Sequence, residues 1–271
     1  MSASFSFFQK FFSGGFQIVM DKNKLLTLAL EAGEIMLAAG AETHRVEDTM
    51  ERILSTDKEH RPQAVVLSNS LFAGIYSDSC TPISNLKKIT GRSTNLEKIT
   101  RVNAMSRKFV EKKITMEEAF KELKQIRKLP SFSYPLTIFC YGMACAAFSP
   151  MFNGTFLDSA GAFPTGLALG ILMLFLSKHN VSYFLSSLLG GVLITILSLF
   201  FYTIGLGNSY DKIIIGCIMP LVPGVTITNA IRDVMEGDFL CGTSKVIEAV
   251  LIAVAVASGV GMVLRIYNVF F

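Results

Sequence analysis

The chain has 271 residues, of which 51% are hydrophobic, and a mean hydropathy of +0.48, values that are too apolar for an ordinary soluble domain and indicate a membrane protein. Its net charge of +4, with acidic residues mixed among the basic ones, is too small to indicate a nucleic-acid-binding protein. Five scattered cysteines without a Cys-x-x-Cys pair argue against a disulfide framework and against a zinc site.

The charged residues are divided unevenly along the chain. Of 25 Lys and Arg residues, 20 lie in residues 1–130 and 5 lie in residues 131–271. Such a step is typical of the boundary between a solvated domain and a membrane-embedded one. We therefore predict a soluble domain over residues 21–130 and a transmembrane domain over residues 131–271.

Residues 1–20 form a phenylalanine-rich N-terminal extension with six Phe and a single base, Lys10. The segment lacks the small-residue cleavage site of a secretory signal. Two interpretations stay open. Either the aromatic side chains lie in the membrane interface, or the segment is an upstream extension and Met20 is the working start.

The predicted soluble domain begins with two amphipathic helices. Apolar residues recur every three or four positions over residues 25–39, where Gly40 predicts a stop, and again over residues 46–54. Residues 64–77 are rich in β-formers and predict two strands or one bulged strand, and residues 83–89 could add another.

Two capping boxes, Thr94–Glu97 and Thr115–Glu118, predict helices at about 95–112 and 116–128, the second of which ends at Pro130. The N-terminal half is thus predicted to be a small α+β domain, and its basic character places it in the cytoplasm.

The segment GAETHRVED, residues 40–48, has the strongest chemical character in this domain. His44, Glu47 and Asp48 lie within one helical turn and could meet one divalent metal. Because one turn supplies at most three ligands and no second His or Cys cluster completes the site, we favour a solvated helix face or an ion-pair network centred on Arg45, and we predict no metal. The candidate residues of this cytoplasmic motif are Gly40, Glu42, Thr43, Arg45, Glu47 and Asp48.

Catalytic motifs are missing from the sequence as a whole. Neither a Ser/His/Asp set nor a phosphate-binding loop occurs, and Thr90-Gly91-Arg92-Ser93 lacks the spacing of such a loop. The sequence therefore indicates neither an enzyme nor a cofactor.

Five apolar runs follow the soluble domain, and each is near the ~20 residues that cross ~30 Å of hydrocarbon, although the first two are short. With the basic domain inside, the loops alternate between outside and inside, and the C-terminus ends outside; Lys212 and Arg265 weakly oppose this orientation. The runs are about 133–149, 161–177, 182–204, 213–231 and 246–267.

The fourth run contains the stretch PLVPGVTITNAIRD, residues 220–233. Its prolines and glycine predict a break at Pro220–Gly224, and unwound backbone survives in a bilayer only where it is buried or lines a cavity. A helix restarting at Pro223 would aim free N–H groups at an anionic substrate. The alternative is a proline kink followed by an interfacial pair of Arg232 and Asp233. The residues of the predicted substrate path are Pro223, Gly224, Thr226, Asn229, Arg232 and Asp233.

Four other acidic residues of the membrane half are candidates for proton transfer or gating, because ionisable groups near a bilayer are usually functional. They are Asp158, Glu236, Asp238 and Glu248.

Small residues form stripes on two predicted spans. On the fifth span they recur every four residues, and on the second span Ala162 precedes Gly166 and Gly170. Such stripes let another helix approach closely. We predict packing within the chain for both, with any surface that remains available for an oligomer or partner. The stripe of the fifth span consists of Ala249, Ala253, Ala257 and Gly261.

Four stretches resemble the threonine/serine exporter family, specifically its N-terminal half. They are GAETHRVEDTMERI (40–53), SNLKKIT (84–90), PLVPGVTITNAIRDVMEGDFLCG (220–242) and EAVLIAVAVASGVG (248–261). The resemblance covers roughly residues 22–270. It implies a cytoplasmic N-terminal domain, several membrane helices and efflux of small amino acids or dicarboxylates.

Full-length members of the family continue with another membrane region, which does not follow Phe271 here. The resemblance therefore implies half of a transporter, like the separate subunit of the bacterial two-chain succinate exporter.

We accordingly expect a cytoplasmic α+β domain followed by a bundle of about five transmembrane helices, the fourth of them broken. The expected function is export of threonine, serine or succinate from a bacterium, coupled to the proton gradient, by a plasma-membrane subunit that joins a second membrane subunit or self-associates, without nucleic acid. Two other functions stay open: a membrane-tethered metal-dependent sensor or enzyme, and a structural membrane scaffold.

Overall fold

The computed structural model describes residues 22–57, 61–77, 80–89, 91, 94–130 and 132–270. The chain forms two compact units, of which the first ends at Leu129 and the second begins at Pro130. The phenylalanine-rich extension of residues 1–20 lies outside the described residues.

The first unit combines helices with a three-stranded antiparallel sheet of order β1-β2-β3. The segment 64–77 is divided between the first two strands, and the segment 83–89 contributes to the third, so the β-rich segments form the strands of one meander. The elements in chain order are α1 (Lys22–Ala38), α2 (Thr43–Leu54), β1 (Arg61–Leu67), β2 (Ser70–Ser77), β3 (Cys80–Lys88), α3 (Leu96–Val110) and α4 (Met116–Arg127).

Helix α1 is the centre of this unit. The adjacent residues Leu25 and Leu26 are both completely buried, and so are Leu28 and Ala29. Neighbouring residues of an α-helix point in directions about 100° apart, so α1 is covered on more than one side. Helix α2, strand β2 and helices α3 and α4 supply that cover.

Of the two predicted capping boxes, the second is present and the first is not. Thr115 accepts from the backbone of Glu118, whose side chain accepts in return from the backbone N–H and hydroxyl of Thr115. The two hydrogen bonds that the Glu118 carboxylate accepts from Thr115 lower the pKa of this carboxyl below its usual value. At α3 the cap is Asn95 instead of Thr94, because the helix begins one residue later and the Asn95 side chain accepts from the N–H of Lys98 at 3.1 Å.

The second unit is helical throughout its described residues. Helices occur at all five predicted runs, and the fourth is divided into two helices joined by a 3₁₀ turn. The helices are α5 (Tyr134–Met151), α6 (Phe156–Lys178), α7 (Tyr183–Thr203), α8 (Tyr210–Ile218), α9 (Gly224–Met235) and α10 (Phe239–Phe270), with the 3₁₀ turn at Met219–Leu221.

Among the described residues, three helices are long and apolar enough to cross a membrane: α6, α7 and α10. Helices α8 and α9 add a fourth candidate if the bent pair counts as one span. Helix α5 is an 18-residue helix but not such a candidate, because tyrosine, proline, threonine and serine residues dilute its apolar sequence. The five predicted spans thus correspond to three candidates, or four with the bent pair.

Glycines determine how closely these helices pack. A Cβ at Gly166 of α6 would lie 2.7 Å from the carbonyl oxygen of Tyr141 in α5, so α6 needs glycine there, as the predicted stripe on the second span requires. Between α7 and α10 the contact is mutual, because a Cβ at Gly191 would lie 2.7 Å from the carbonyl of Val256 and one at Gly259 would lie 2.3 Å from that of Leu188.

Most of the stripe predicted on the fifth span does not pack against the described part of the chain. Ala249 is buried, but Ala253, Ala257 and Gly261 are exposed. A strict spacing of four residues drifts around a helix of 3.6 residues per turn, so the stripe rotates away from the face that contacts α7. The buried face instead combines steps of three and four and includes Lys245, Ala249, Ile252, Val256 and Gly259.

Candidate functional site

The fourth apolar run is broken where the sequence predicted. Helix α8 ends at Ile218, a 3₁₀ turn covers Met219–Leu221, and α9 begins at Gly224, with a 52° bend between the two helices. Pro220 and Pro223 remove two backbone donors from this region. The predicted restart is displaced by one residue: Pro223 is the N-cap of α9 and not its first helical residue, because its ψ of 55° lies outside the helical region.

Gly224 leaves open space beside the first turn of α9. A Cβ at this position would meet no atom of the described residues within 4 Å. The N–H of Gly224 donates to the carbonyl of Val222 at 2.8 Å, so this donor is used inside the break. The glycine is therefore not required for packing within the described part of the chain.

The polar residues predicted along α9 differ in burial. Thr226 and Asn229 are half-buried, whereas Asp233 is completely buried. Arg232 is exposed although it is the neighbour of Asp233, so the two side chains lie on different faces of the helix. The predicted stripe thus leads from partly open threonine and asparagine to an interior carboxylate.

Asp233 forms an ion pair with Lys245 of α10. The Lys245 Nζ lies 2.6 Å from the Asp233 Oδ2, and the two residues are 6% and 0% exposed. Aspartate and lysine are almost never fully buried unless they are paired. Asp233 is consequently buried inside the second unit, where it pairs with Lys245.

Lys245 was not among the residues predicted from the sequence for this site. The residue lies one position before the apolar run 246–267, where a lysine resembles an ordinary flanking charge. Its partner is twelve residues away and belongs to a different helix, so no helical spacing connects them. The only signal in the sequence was the position of this base directly before an apolar run, where an ionisable residue can be functional.

Hydrogen bonds of the backbone and of Asp238 define the turn between α9 and α10. Helix α9 ends in a Schellman motif, in which Gly237 donates to the carbonyl of Val234 and Asp238 donates to that of Asp233. Gly237 has φ of +91°, a conformation that favours glycine. The Asp238 Oδ1 then accepts from the N–H of Cys241 at 3.1 Å in the first turn of α10. Asp238 therefore has a capping role at this turn.

Close contact between α9 and α10 accompanies the ion pair. A Cβ at Gly242 would lie 2.5 Å from the Val234 Cγ2 and 3.0 Å from the carbonyl oxygen of Ala230. Glycine at this position lets the two helix backbones approach, which places Asp233 and Lys245 within reach of each other.

Two further candidates for proton transfer lie near this hairpin. Glu236 is exposed at the C-terminal end of α9, and Glu248 is half-buried on α10. Because Glu248 follows Lys245 by three residues, the two lie on the same side of α10.

Asp158, the remaining acidic candidate, joins two segments of the second unit that are distant in sequence. Its Oδ2 accepts from the N–H and hydroxyl of Thr155 in a capping box, and its Oδ1 accepts from the N–H groups of Asn208 and Ser209 at 2.7 and 2.9 Å. The residue is 1% exposed. Both oxygens are thus occupied in joining the start of α6 to the loop before α8.

In the segment of residues 40–48, Glu47 covers the edge of the sheet. Its Oε1 accepts from the N–H of Val66 at 2.8 Å, and the Oε1 of Glu51, one turn later, accepts from the N–H of Ala64 at 3.4 Å. Strand β1 is an edge strand, whose outward N–H groups would otherwise lack a strand partner.

The other residues of the motif serve the fold or face solvent. Gly40 has φ of +85° and ends α1, and Thr43 is buried at the start of α2. Glu42 is the N-cap of α2, although its side chain makes no capping hydrogen bond. His44 and Arg45 are exposed.

The ion pair on α2 joins Asp48 and Arg52 instead of centring on Arg45. Within the described ranges, no group of three or more His, Cys, Asp or Glu side chains could hold a metal ion.

Comparisons with known proteins support the resemblance seen in the sequence. The sequence model of the threonine/serine exporter family matches residues 27–267. A threonine/serine exporter of Corynebacterium glutamicum is 21% identical over 252 residues, which cover 90% of this chain and 52% of that protein. Pheromone-regulated membrane protein 10 of Debaryomyces hansenii is 22% identical over 86% of this chain and 24% of its own length.

A shorter relative is covered almost completely. A protein of Klebsiella aerogenes that is named as a probable succinate transporter subunit is 22% identical over 92% of this chain and 96% of its own length. The chain therefore spans about half or less of the Corynebacterium and Debaryomyces proteins, but nearly all of the Klebsiella subunit. No solved structure matches the chain.

Proposed function

Because the chain belongs to the threonine/serine exporter family, we propose that it is one subunit of an efflux transporter that exports small amino acids such as threonine and serine, or dicarboxylates such as succinate. The structural observation that supports this proposal is the buried pair of Asp233 and Lys245 beside a broken apolar span. Broken helices with buried ionisable groups are typical of substrate and ion sites in transporters.

The proposed partner is a second membrane subunit that supplies the other half of the transporter. The name of the Klebsiella relative, a probable succinate transporter subunit of which this chain covers 96%, supports this proposal. The exposed small residues Ala253, Ala257 and Gly261 of α10 offer a surface on which a partner helix could pack closely. Self-association would use the same kind of surface.

We further propose that the protein resides in the bacterial inner membrane with its N-terminal domain in the cytoplasm and its C-terminus outside. The distribution of bases supports this orientation, because 20 of 25 Lys and Arg residues precede residue 131.

Proton coupling is proposed for Asp233 in preference to Asp158. Both carboxylates are buried, but the carboxylate of Asp158 accepts four hydrogen bonds, which join the start of α6 to the loop before α8. Asp233 instead faces a base across a helix hairpin, and the partly open residues Thr226 and Asn229 precede it on the same helix. A carboxylate in such a position can exchange its ionic partner for a proton.

Export by cells with and without the chain tests the proposal. Cells are loaded with threonine, serine or succinate, and the appearance of each solute in the medium is followed. We expect export of at least one of them to require the chain and to be lost with Asp233→Asn, while Asp211→Asn, a matched change at an exposed aspartate, leaves it unchanged. Equal export by cells lacking the chain would exclude the proposed function and favour a scaffold or sensor.

A second variant examines the open space at the break. Gly224→Leu adds a side chain where the described chain has room for it, so it should leave folding intact. Loss of export by this variant would indicate that a substrate or the partner subunit occupies the space; unchanged export would remove Gly224 from the proposed path.

A further inference from the structure

We propose that one face of helix α4 binds the headgroups of anionic phospholipids at the membrane surface. This lysine face consists of Lys121, Lys124 and Lys128, with the uncharged Gln125 beside them. Its ligand is a lipid phosphate group, such as the headgroup of phosphatidylglycerol. The inference goes beyond the proposed efflux function and requires only that the second unit lies in a membrane.

The lysine face points away from the core of the first unit. Successive residues of an α-helix are rotated by about 100°, so positions 121, 124 and 128 fall within an arc of about 60°. All three lysines are exposed. The buried residues of the same helix lie on its opposite side and are Ala119, Leu123 and Ile126.

The three lysines form no ion pair within the described part of the chain, whereas neighbouring bases do. Lys108 pairs with Glu122 at 2.8 Å, and Arg127 pairs with Glu34 of α1. These paired bases connect elements of the first unit. The charges of the lysine face are therefore available to an anion outside the protein.

The charges of α4 are also separated along its length. Glu117 and Glu118 lie in the first turn, while the bases follow towards the C-terminal end. Bases in the last turn of a helix are favoured by its dipole, but this effect falls off within one turn. Lys121 lies in the turn before the last one, so the dipole does not explain the whole face.

The lysine face lies directly before the unit that contains the candidate spans. The second unit begins at Pro130, two positions after Lys128, and helix α5 begins at Tyr134. Six residues span at most about 22 Å, which limits the distance between Lys128 and the start of α5.

Two exposed aromatic residues follow the lysine face in the chain. Phe132 is 79% exposed and Tyr134 is 68% exposed. Aromatic side chains are enriched at the interface between a bilayer and water. The order of lysines, aromatic residues and apolar helices thus matches the order of headgroups, interface and hydrocarbon.

Charge complementarity identifies the ligand. An anionic leaflet attracts each base near its surface by about fivefold in binding, so three lysines supply about 100-fold. A second copy of the chain would bring like charges together on this face. An anionic lipid surface is opposite in charge and is the surface nearest to a helix that precedes a membrane unit.

The experiment places a fluorescent label beside the lysines. The full chain, without other cysteines, receives Gln125→Cys and a bimane label, and single molecules are reconstituted in lipid nanodiscs. The discs contain phosphatidylcholine with a nitroxide on its headgroup, either alone or mixed with phosphatidylglycerol. We expect the nitroxide to quench the label only in the mixed discs, and the quenching to fall as salt is raised, because salt screens exposed charges.

Three sets of substitutions test the role of the charges. Exchange of all three lysines for glutamine should weaken the contact by about 100-fold and abolish quenching, whereas exchange for arginine should preserve it. The matched control removes the same charge from exposed bases that precede α4, and it should be quenched like the unchanged chain. The control substitutions are Arg107→Gln, Lys112→Gln and Lys113→Gln.

Each other outcome would overturn the inference. Equal quenching in both kinds of disc would indicate a contact without charge selectivity, and no quenching in either would leave the lysine face in solvent. Quenching that survives in the glutamine variant, or is lost equally in the control, would show that these lysines are not the site. The measurement needs no transport, so its failure leaves the efflux proposal standing, and failed export leaves this test unaffected.

Discussion

The Nζ of Lys245 lies 2.6 Å from the Oδ2 of Asp233, although the two residues are twelve positions apart and lie in two different helices, α10 and α9. Both residues are buried, and the contact joins the helix that restarts after the break to the first turns of the 32-residue helix α10. Removing either partner leaves a buried charge, whereas removing both leaves none, so single and double variants should behave very differently.

We therefore expect Lys245→Met alone to be more damaging to the fold than the loss of both charges. Breaking one side of a buried ion pair typically costs about 3–5 kcal/mol, whereas replacing the whole pair by apolar residues is often neutral. The measurement is thermal unfolding of the protein in detergent, together with its abundance in membranes. Lys212→Met, at a lysine whose pairing with Asp211 is more exposed, provides the control and should change stability by less than about 1 kcal/mol.

A single Lys245→Met variant as stable as the control would contradict this prediction. It would mean that the Asp233 carboxylate finds another donor or becomes protonated when the lysine is removed.

Asp158→Asn should lower stability without changing export per molecule. An asparagine side chain has one acceptor oxygen and one NH₂ group, so it cannot accept both the pair of hydrogen bonds from Thr155 and the pair from Asn208 and Ser209. A lost buried hydrogen bond costs about 1–3 kcal/mol. Unfolding in detergent and export normalised to protein abundance are the two measurements. A normalised export rate that falls with intact stability would instead assign Asp158 to proton transfer.

The contrast between these two aspartates shows what the sequence could predict. The break at Pro220–Gly224 followed from local backbone chemistry, since proline and glycine act on their own turn. The capping box of Asp158 joins it to Thr155, three positions earlier, yet its bonds to Asn208 and Ser209 bridge 50 and 51 positions that no local pattern connects. The pairing of Asp233 with Lys245 was missed for the same reason.

Periodicity failed in a different way on α10. The four-residue spacing of Ala253, Ala257 and Gly261 marked a real stripe, but this stripe is exposed and the buried face passes through Gly259. Which face of a span packs inside depends on the shape of the neighbouring helix, and here Gly191 of α7 selects the face that carries Gly259. The residue spacing along one helix does not show which of its faces a neighbouring helix will contact.

Two glycines on α10 make this difference testable. Gly259→Ala should destabilise the protein, because its Cβ would lie 2.3 Å from the carbonyl oxygen of Leu188 and would force α7 and α10 apart, at a cost of typically 1–3 kcal/mol. Gly261→Ala, two residues later, meets no described atom within 4 Å and should leave stability unchanged or slightly improved. Thermal unfolding of both variants in detergent compares them. Equal destabilisation by the two changes would contradict the described packing of α7 on α10.

The last prediction concerns membrane orientation, and the structure determines which residues can report it. The native thiol of Cys241 is completely buried, so its resistance to labelling would say nothing about which side of the membrane it faces, and a Cβ at Gly154 would lie 2.5 Å from the Ser149 Oγ. Met151 and Met235 are better probes, since they are 72% and 81% exposed at the ends of helices whose following loops we predict to lie outside and inside, respectively.

In a chain without other cysteines, Met151→Cys should react with a membrane-impermeant maleimide in intact cells, and Met235→Cys should react only after the membrane is permeabilised. The physical reason is the distribution of bases, which predicts that the turn following Arg232 of α9 lies on the same side as the basic N-terminal domain. Because both probes replace an exposed methionine, a difference in labelling reports access from one side of the membrane and not burial. The reverse pattern would place the N-terminal domain outside, and it would then put the hairpin of Asp233 and Lys245 at the outer end of the transport path.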